Sequence, residues 1–169
     1  MWILGLSPIP LHRILSLKLR LSASVIGLLT TTLVLISSLS LSLSWQRIFF
    51  FCSAILLLSY GLTALALAIG TLVPNFRETN PAKIVSGFGG TVCLICSFIY
   101  IMFCMGTLVI PPWLENRALV SGSPLSPPVR FLCDLGALAG VAFWTTIFGF
   151  APYKIAKKRT KDLEYLRLL

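Results

Sequence analysis

"IFFFCSAILLLSYGLTALALAIGTLVPNF", residues 48–76, runs for 29 residues without a charged side chain. At about 1.5 Å of rise per residue, roughly 20 helical residues cross a hydrocarbon core of about 30 Å, so this run is long enough to span a bilayer. Three more uncharged runs, Leu21–Ser44, Ile84–Leu114 and Leu135–Tyr153, meet the same condition. The whole chain of 169 residues is 57% hydrophobic and 11% charged, with a mean hydropathy of +0.93. Soluble domains carry about a quarter charged residues, so this chain lacks the polar surface a water-facing fold needs. The bilayer is its solvent.

Lipid offers no partners to backbone N–H and C=O groups, which restricts spanning segments to helices or a closed barrel. The length of these runs and their lack of period-2 polarity exclude the barrel. "SSLSLSLS" at 37–44 alternates like a strand, but serine can bond back to a carbonyl one turn earlier and is tolerated in membrane helices. The expected fold is therefore all-α, a polytopic bundle of about four transmembrane helices. The spans fall at about 21–44, 47–73, 83–110 and 131–152, within a transmembrane domain of 21–153. Residues 1–20 precede it as a basic interfacial segment, and 154–169 follow it as a basic tail.

Charge placement sets the orientation. Eleven of the fourteen Lys and Arg residues fall before span one, between spans two and three, or after span four, and only Arg47, Arg117 and Arg130 fall in the other two connections. The positive-inside rule then places both termini in the cytoplasm, with membrane lipids as the partner of the basic residues and no nucleic acid implied.

Backbone punctuation concentrates between spans two and three, in "PNFRETNPAKIVSGFGG", residues 74–90. Pro74 ends the second helix, and Asn80 before Pro81 reads as a cap with proline at the first helical position, so a third helix is expected to start near Pro81. The glycines that follow are not a phosphate loop, because Gly90 is followed by Thr91 and Val92 instead of the lysine and hydroxyl of GxxxxGK[ST]. They suit close helix packing, as do Gly61, Ala64, Ala66, Ala68 and Gly70 in span two. Farther on, Pro111 and Pro112 are expected to open a loop reaching to about Pro128, with a short interfacial helix around "WLENRALV" and with Glu115 and Arg117 solvated. Asp134 is expected within the first turn of the last helix, where a carboxylate complements the dipole; a transport role is the alternative.

Chemistry for catalysis is scarce. The acids are Glu78, Glu115, Asp134, Asp162 and Glu164, the single histidine is His12, and topology scatters them over both faces. No general acid–base pair or nucleophilic set can be drawn, and Cys93 and Cys96 form a CxxC without a second ligand pair, so cysteine reads as a packing residue and neither cofactor nor metal is expected. No Walker motif is present, so ATP-driven work falls to another polypeptide.

Two stretches resemble membrane permeases of ATP-binding cassette exporters. "LGLSPIPLHRILSLKLR" resembles the segment reading roughly SP-x-S-x-x-R-x-L-x-x-K, carried here by Pro8, Arg13 and Lys18. More specific is "LALAIGTLVPNFRETNPAKIVSGFGGT" (65–91), which resembles P-x-F-[KR]-x-x-N-P-[AS]-K-I followed by a glycine pair. It is carried by Pro74, Phe76, Arg77, Asn80, Pro81, Lys83, Gly89 and Gly90. The likeness covers about residues 1–110. It implies a permease subunit of a bacterial inner membrane, in which residues 1–20 fall at a cytoplasmic coupling region and the four spans match the family's last four. It also implies a cytoplasmic ATP-binding subunit and another permease copy or N-terminal half as partners. Because the chain starts with Met1 where that family is part-way through, the resemblance implies a truncated or split permease. Residues 74–90 become a cytoplasmic elbow against the ATPase, with a plain topological turn as the alternative. A non-transporting scaffold or inactive remnant is the competing function.

Overall fold

The computed structural model describes residues 11–72, 87–122 and 126–168, with side-chain surroundings for 12–72, 87–122 and 126–160. Among these residues every regular element is helical: α1 (Leu11–Ser40), α2 (Trp45–Leu72), α3 (Phe88–Val120), α4 (Pro127–Trp144), a π-helical segment (Thr145–Phe150) and α5 (Ala151–Leu168). Four stretches are long and apolar enough to cross a membrane: His12–Ser40, Trp45–Leu72, Phe88–Val120 and Pro127–Thr160. The last runs without a break through the π segment.

α2 is the hub, packing against α1, α3, α4, the π segment and α5, whereas α1 touches only α2 and α5. Half of the α2 span is buried, against about a tenth of the α1 and α3 spans. The sequence accounts for this. Helices in lipid lack a hydrophobic drive toward one another and associate through small residues that let backbones approach. In α2, Gly61, Ala64 and Ala68 are buried, while Ala66 and Gly70 face outward, so only part of the small-residue set forms the contact face.

Two apolar clusters fix the packing. Near one end, Leu15 and Leu19 of α1 meet Ala64 and Ala68 of α2 and Tyr153 and Ala156 of α5. Nearer the middle, Leu58 of α2 meets Tyr100 and Cys104 of α3 and Val141 of α4. At the opposite end the starts of α2 and α4 meet the last turns of α3 through ion pairs. The helices therefore run up and down, and the start of α1 lies beside α5 on one side of the bundle.

Hydroxyls inside the helices bond back to carbonyls one turn earlier, as in Ser40 Oγ to Ile36 O (3.0 Å) and Thr63 Oγ1 to Ser59 O (2.6 Å). This satisfies each hydroxyl within its own helix and permits Ser and Thr in a lipid-facing segment.

Several boundaries differ from the sequence expectation for identifiable reasons. Residues 11–20 are the first turns of α1 and not a separate interfacial piece, because no proline or glycine interrupts the chain from Leu11 to Ile26 and Leu15 and Leu19 are buried one turn apart. The link between α1 and α2 lies at 41–44, with Ser42 in the left-handed region (φ 51°), and Trp45 already belongs to α2. Pro111 and Pro112 do not end α3, which continues to Val120. Two prolines remove the donors to the carbonyls of Thr107 and Leu108, but both have a helical φ, and the turns beyond them are anchored by Glu115. α3 ends at Ser121 and Gly122, whose φ of +71° is the conformation glycine adopts at low cost after a helix. The basic tail begins within α5, which follows directly on the π segment and buries Tyr153 and Ala156 against α1 and α2.

Candidate functional site

Charge sorts to the two ends of the bundle. At the end formed by the start of α1, the end of α2 and α5, Arg13, Lys18 and Arg20 are exposed on α1, and Lys154, Lys158 and Arg159 on α5. Arg159 donates from Nη1 to the carbonyl oxygen of Leu72 at 3.3 Å. That carbonyl lies in the last described turn of α2. α5 is thereby tied to the helix end from which the elbow departs.

Of the residues singled out in the elbow, Pro74, Phe76, Arg77, Asn80, Pro81 and Lys83 lie outside the described residues, as does Pro8. Gly89 and Gly90 are described: they sit half-buried in the first turn of α3, which begins at Phe88 after an extended Gly87 (φ −72°, ψ 178°). The candidate cap at Asn80 and Pro81 therefore precedes this helix start. Arg13 and Lys18 are brought to the same end as the α2 terminus, through Leu15 and Leu19 beside them.

The opposite end carries an ion cluster. Arg47, in the first turn of α2, donates to Glu115 Oε2 of α3, and Arg130 Nε of α4 lies 3.6 Å from Glu115 Oε1. Glu115 is only 20% exposed and clasps the starts of two helices to its own. The expectation that Glu115 is simply solvated is thus wrong. The continuation of α3 past its prolines places this carboxylate between two helix starts, which a loop there would not do. Arg117 stacks over Trp113, 5.0 Å from the ring centroid, an aromatic–cation pair suited to the head-group level.

Asp134 also departs from expectation. α4 starts at Pro127, so Asp134 is beyond its first turn and cannot serve the dipole there. It is half-buried and within electrostatic reach of Arg47, which extends the cluster to a fourth side chain.

Between the two ends lies a polar pair that the sequence did not announce. Tyr100 of α3 is fully buried, and its hydroxyl is 2.9 Å from Thr145 Oγ1, which itself lies 2.8 Å from the carbonyl oxygen of Val141. Thr145 opens the π segment. Gly61 and Gly149 face each other there: a Cβ on Gly149 would lie 3.0 Å from Gly61 Cα. Phe103, Trp144 and Phe148 pack beside this junction, with Phe103 and Trp144 stacked at 4.4 Å. A hydroxyl pair closed on itself in an apolar junction positions helices; it offers no free group for proton transfer.

Along the face of α2 between α1 and α3 runs an open apolar groove. One part, of about 580 Å³, is lined by Ile26, Thr30, Leu62 and Ser97 among others; the other, of about 450 Å³, is lined by Val34, Phe51, Met105 and Pro112 among others, and Ile55 and Leu58 line both. α1 and α3 do not touch across it. Among the described residues no group of three or more metal-ligating side chains occurs.

Four spanning helices with charge gathered at their ends define a polytopic α-helical membrane protein. Residues 1–165 match a family described as "putative ATP-binding cassette", and the chain belongs to that family. No curated protein and no solved structure matches it.

Proposed function

We propose that the chain is the permease component of an ATP-binding cassette exporter, moving a substrate across a bacterial inner membrane with energy from ATP hydrolysed by a cytoplasmic partner subunit. The observation that carries this reading is a family of ATP-binding cassettes represented here by four apolar spanning helices. The 169 residues hold no GxxxxGK[ST] loop to cradle phosphates, which supports a nucleotide site supplied from outside them.

Both termini and the elbow face the cytoplasm in this reading, supported by the eleven-to-three distribution of Lys and Arg. Arg77, between Pro74 and Pro81, and Lys83, two residues beyond Pro81, meet the ATPase. Motion delivered there enters α2 and α3, the helices on either side of the elbow, and α2 passes it to every other element it packs against. Pro8, Arg13 and Lys18 flank the same side. The shallow burial of α1 and α3, and the groove between them, are covered by helices of another permease copy or an N-terminal half.

The test is co-purification of the tagged chain with an ATP-binding subunit from the cells that produce it. Arg77→Glu combined with Lys83→Glu is expected to abolish capture of that subunit while leaving insertion of the chain in the membrane unchanged. Undiminished capture by the double variant removes the elbow from the mechanism. Failure of the native chain to capture any ATP-binding subunit removes the exporter reading.

A further inference from the structure

We propose that the last turns of α3, residues 112–120, are a hinged arm that opens and closes the groove at the end where α1 stops, with Glu115 as its latch. The hinge is Pro111 and Pro112. Neither can donate a backbone hydrogen bond, so the carbonyls of Thr107 and Leu108 lack the bonds that would tie the arm to the preceding turn. Apolar packing changes at the same place. Before the hinge, Tyr100, Cys104 and Leu108 belong to the middle cluster, and Thr107 Cγ2 lies 3.4 Å from where a Cβ on Gly140 of α4 would stand. Beyond Leu108, among the described residues, α3 contributes to neither apolar cluster.

What holds the arm is ionic. Glu115 pairs with Arg47 at the start of α2 and with Arg130 at the start of α4, so one carboxylate ties the arm to two neighbours. The second contact is loose: Arg130 Nε is buried without a hydrogen-bond partner among the described residues and lies 3.6 Å from Glu115 Oε1, longer than a hydrogen bond. A fully bonded network would fix the arm, whereas one with a donor left over can rearrange. The hinge also borders the groove. Pro112 lines it together with Met105 and Val109 of α3, as do Leu41 and Leu43 of the link between α1 and α2. α1 and α3 do not touch across the groove, so α1 does not hold the arm in place. Span length leaves room for the motion, because the 33 residues of Phe88–Val120 extend for about 50 Å, more than the roughly 30 Å of hydrocarbon.

The experiment measures two distances by double electron–electron resonance in phospholipid nanodiscs, in the full chain with its own cysteines replaced. One pair of spin labels, at Phe49→Cys and Leu119→Cys, spans the latch; the other, at Leu56→Cys and Ile101→Cys, joins α2 to α3 before the hinge. All four positions are exposed. Residue 119 lies about 11 Å beyond Pro112, so a change of about 20° at the prolines moves it by roughly 4 Å. Glu115→Ala is expected to add a second population, longer by about that amount, to the first pair and to leave the second pair unchanged. Adding Pro111→Ala and Pro112→Ala, which restores the two backbone donors, is expected to return the first pair to a single distance. If Glu115→Ala loses its helical circular dichroism, Glu115→Gln serves, with a smaller second population. An unchanged first pair overturns the proposal. So does a shift in both pairs, which would make Glu115 a support of the whole bundle, and so does a second population that persists with the added alanines, which would put the motion elsewhere than the prolines. Neither the elbow nor an ATPase enters the measurement, so its failure and that of the exporter reading are separate results.

Discussion

Gly61→Val is expected to destabilise the bundle by about 3 kcal/mol, the upper part of the usual range for forcing extra methyl groups into a packed interior. A Cβ at Gly61 would lie 2.2 Å from the Tyr100 hydroxyl oxygen, 2.7 Å from Tyr100 Cζ and 3.1 Å from Thr145 Cγ2. Tyr100 cannot swing away cheaply, since it is fully buried and paired with Thr145. Gly149→Ala should act on the same junction, because its Cβ would meet the backbone of Gly61 at 3.0 Å and a backbone has no rotamer to yield. Gly70 and Gly136 supply the contrast: nothing lies within 4 Å of a Cβ at either, and both are within helices. Alanine there is expected to be neutral or to stabilise by roughly 0.5–1 kcal/mol through helix propensity. Thermal unfolding in detergent, followed by circular dichroism, separates the two classes. If Gly61→Val melts with the native chain while Gly70→Ala behaves the same way, the close approach of α2 to α3 and the π segment is not what holds the bundle.

Glu115→Ala is expected to cost about 2 kcal/mol. Removing the carboxylate leaves Arg47 and Arg130, on two different helices, without the charge that joins them. The arginine side chains are 39% and 41% exposed and Glu115 is 20% exposed, so the expected cost lies between the roughly 0–1 kcal/mol of a surface pair and the roughly 3–5 kcal/mol of a broken buried one. Glu115→Gln should lose less, because the amide oxygen still accepts from a guanidinium. In a cycle with Arg47→Ala the losses should be less than additive, since either substitution breaks the same contact. Additive losses would mean that Glu115 and Arg47 stabilise the bundle separately and that the clasp contributes nothing as a unit.

How much of this was legible in the sequence depended on the kind of interaction. The α2 run was readable because a span needs only length and lack of charge; its expected end at Pro74 lies outside the described residues. The buried set Gly61, Ala64 and Ala68 was readable as small residues, although sequence alone could not say that Ala66 and Gly70 would face away. Pro111 and Pro112 misled because proline marks a helix end in water more firmly than in a bundle where neighbouring helices support the turns beyond it. That one error hid the ion cluster. With residues 113–120 read as loop, Glu115 had no fixed relation to Arg47 or Arg130, and the late start assigned to α4 gave Asp134 a helix-end role it does not have. A usable signal was present: Glu115 is the only acid between Glu78 and Asp134, and an arginine stands at the start of each neighbouring span on that side. The Tyr100–Thr145 pair left no such trace, because a contact between residues 45 positions apart depends on how two helices are rotated.

The central claim is an orientation: a four-span bundle whose elbow lies in the compartment where ATP is hydrolysed. It is tested most directly by a Thr79→Cys variant in which Cys52, Cys93, Cys96, Cys104 and Cys133 are replaced, treated in intact cells with a membrane-impermeant maleimide. Labelling only after the membrane is permeabilised is the predicted result. Labelling of intact cells would place the elbow outside and contradict both the orientation and its coupling to the ATPase.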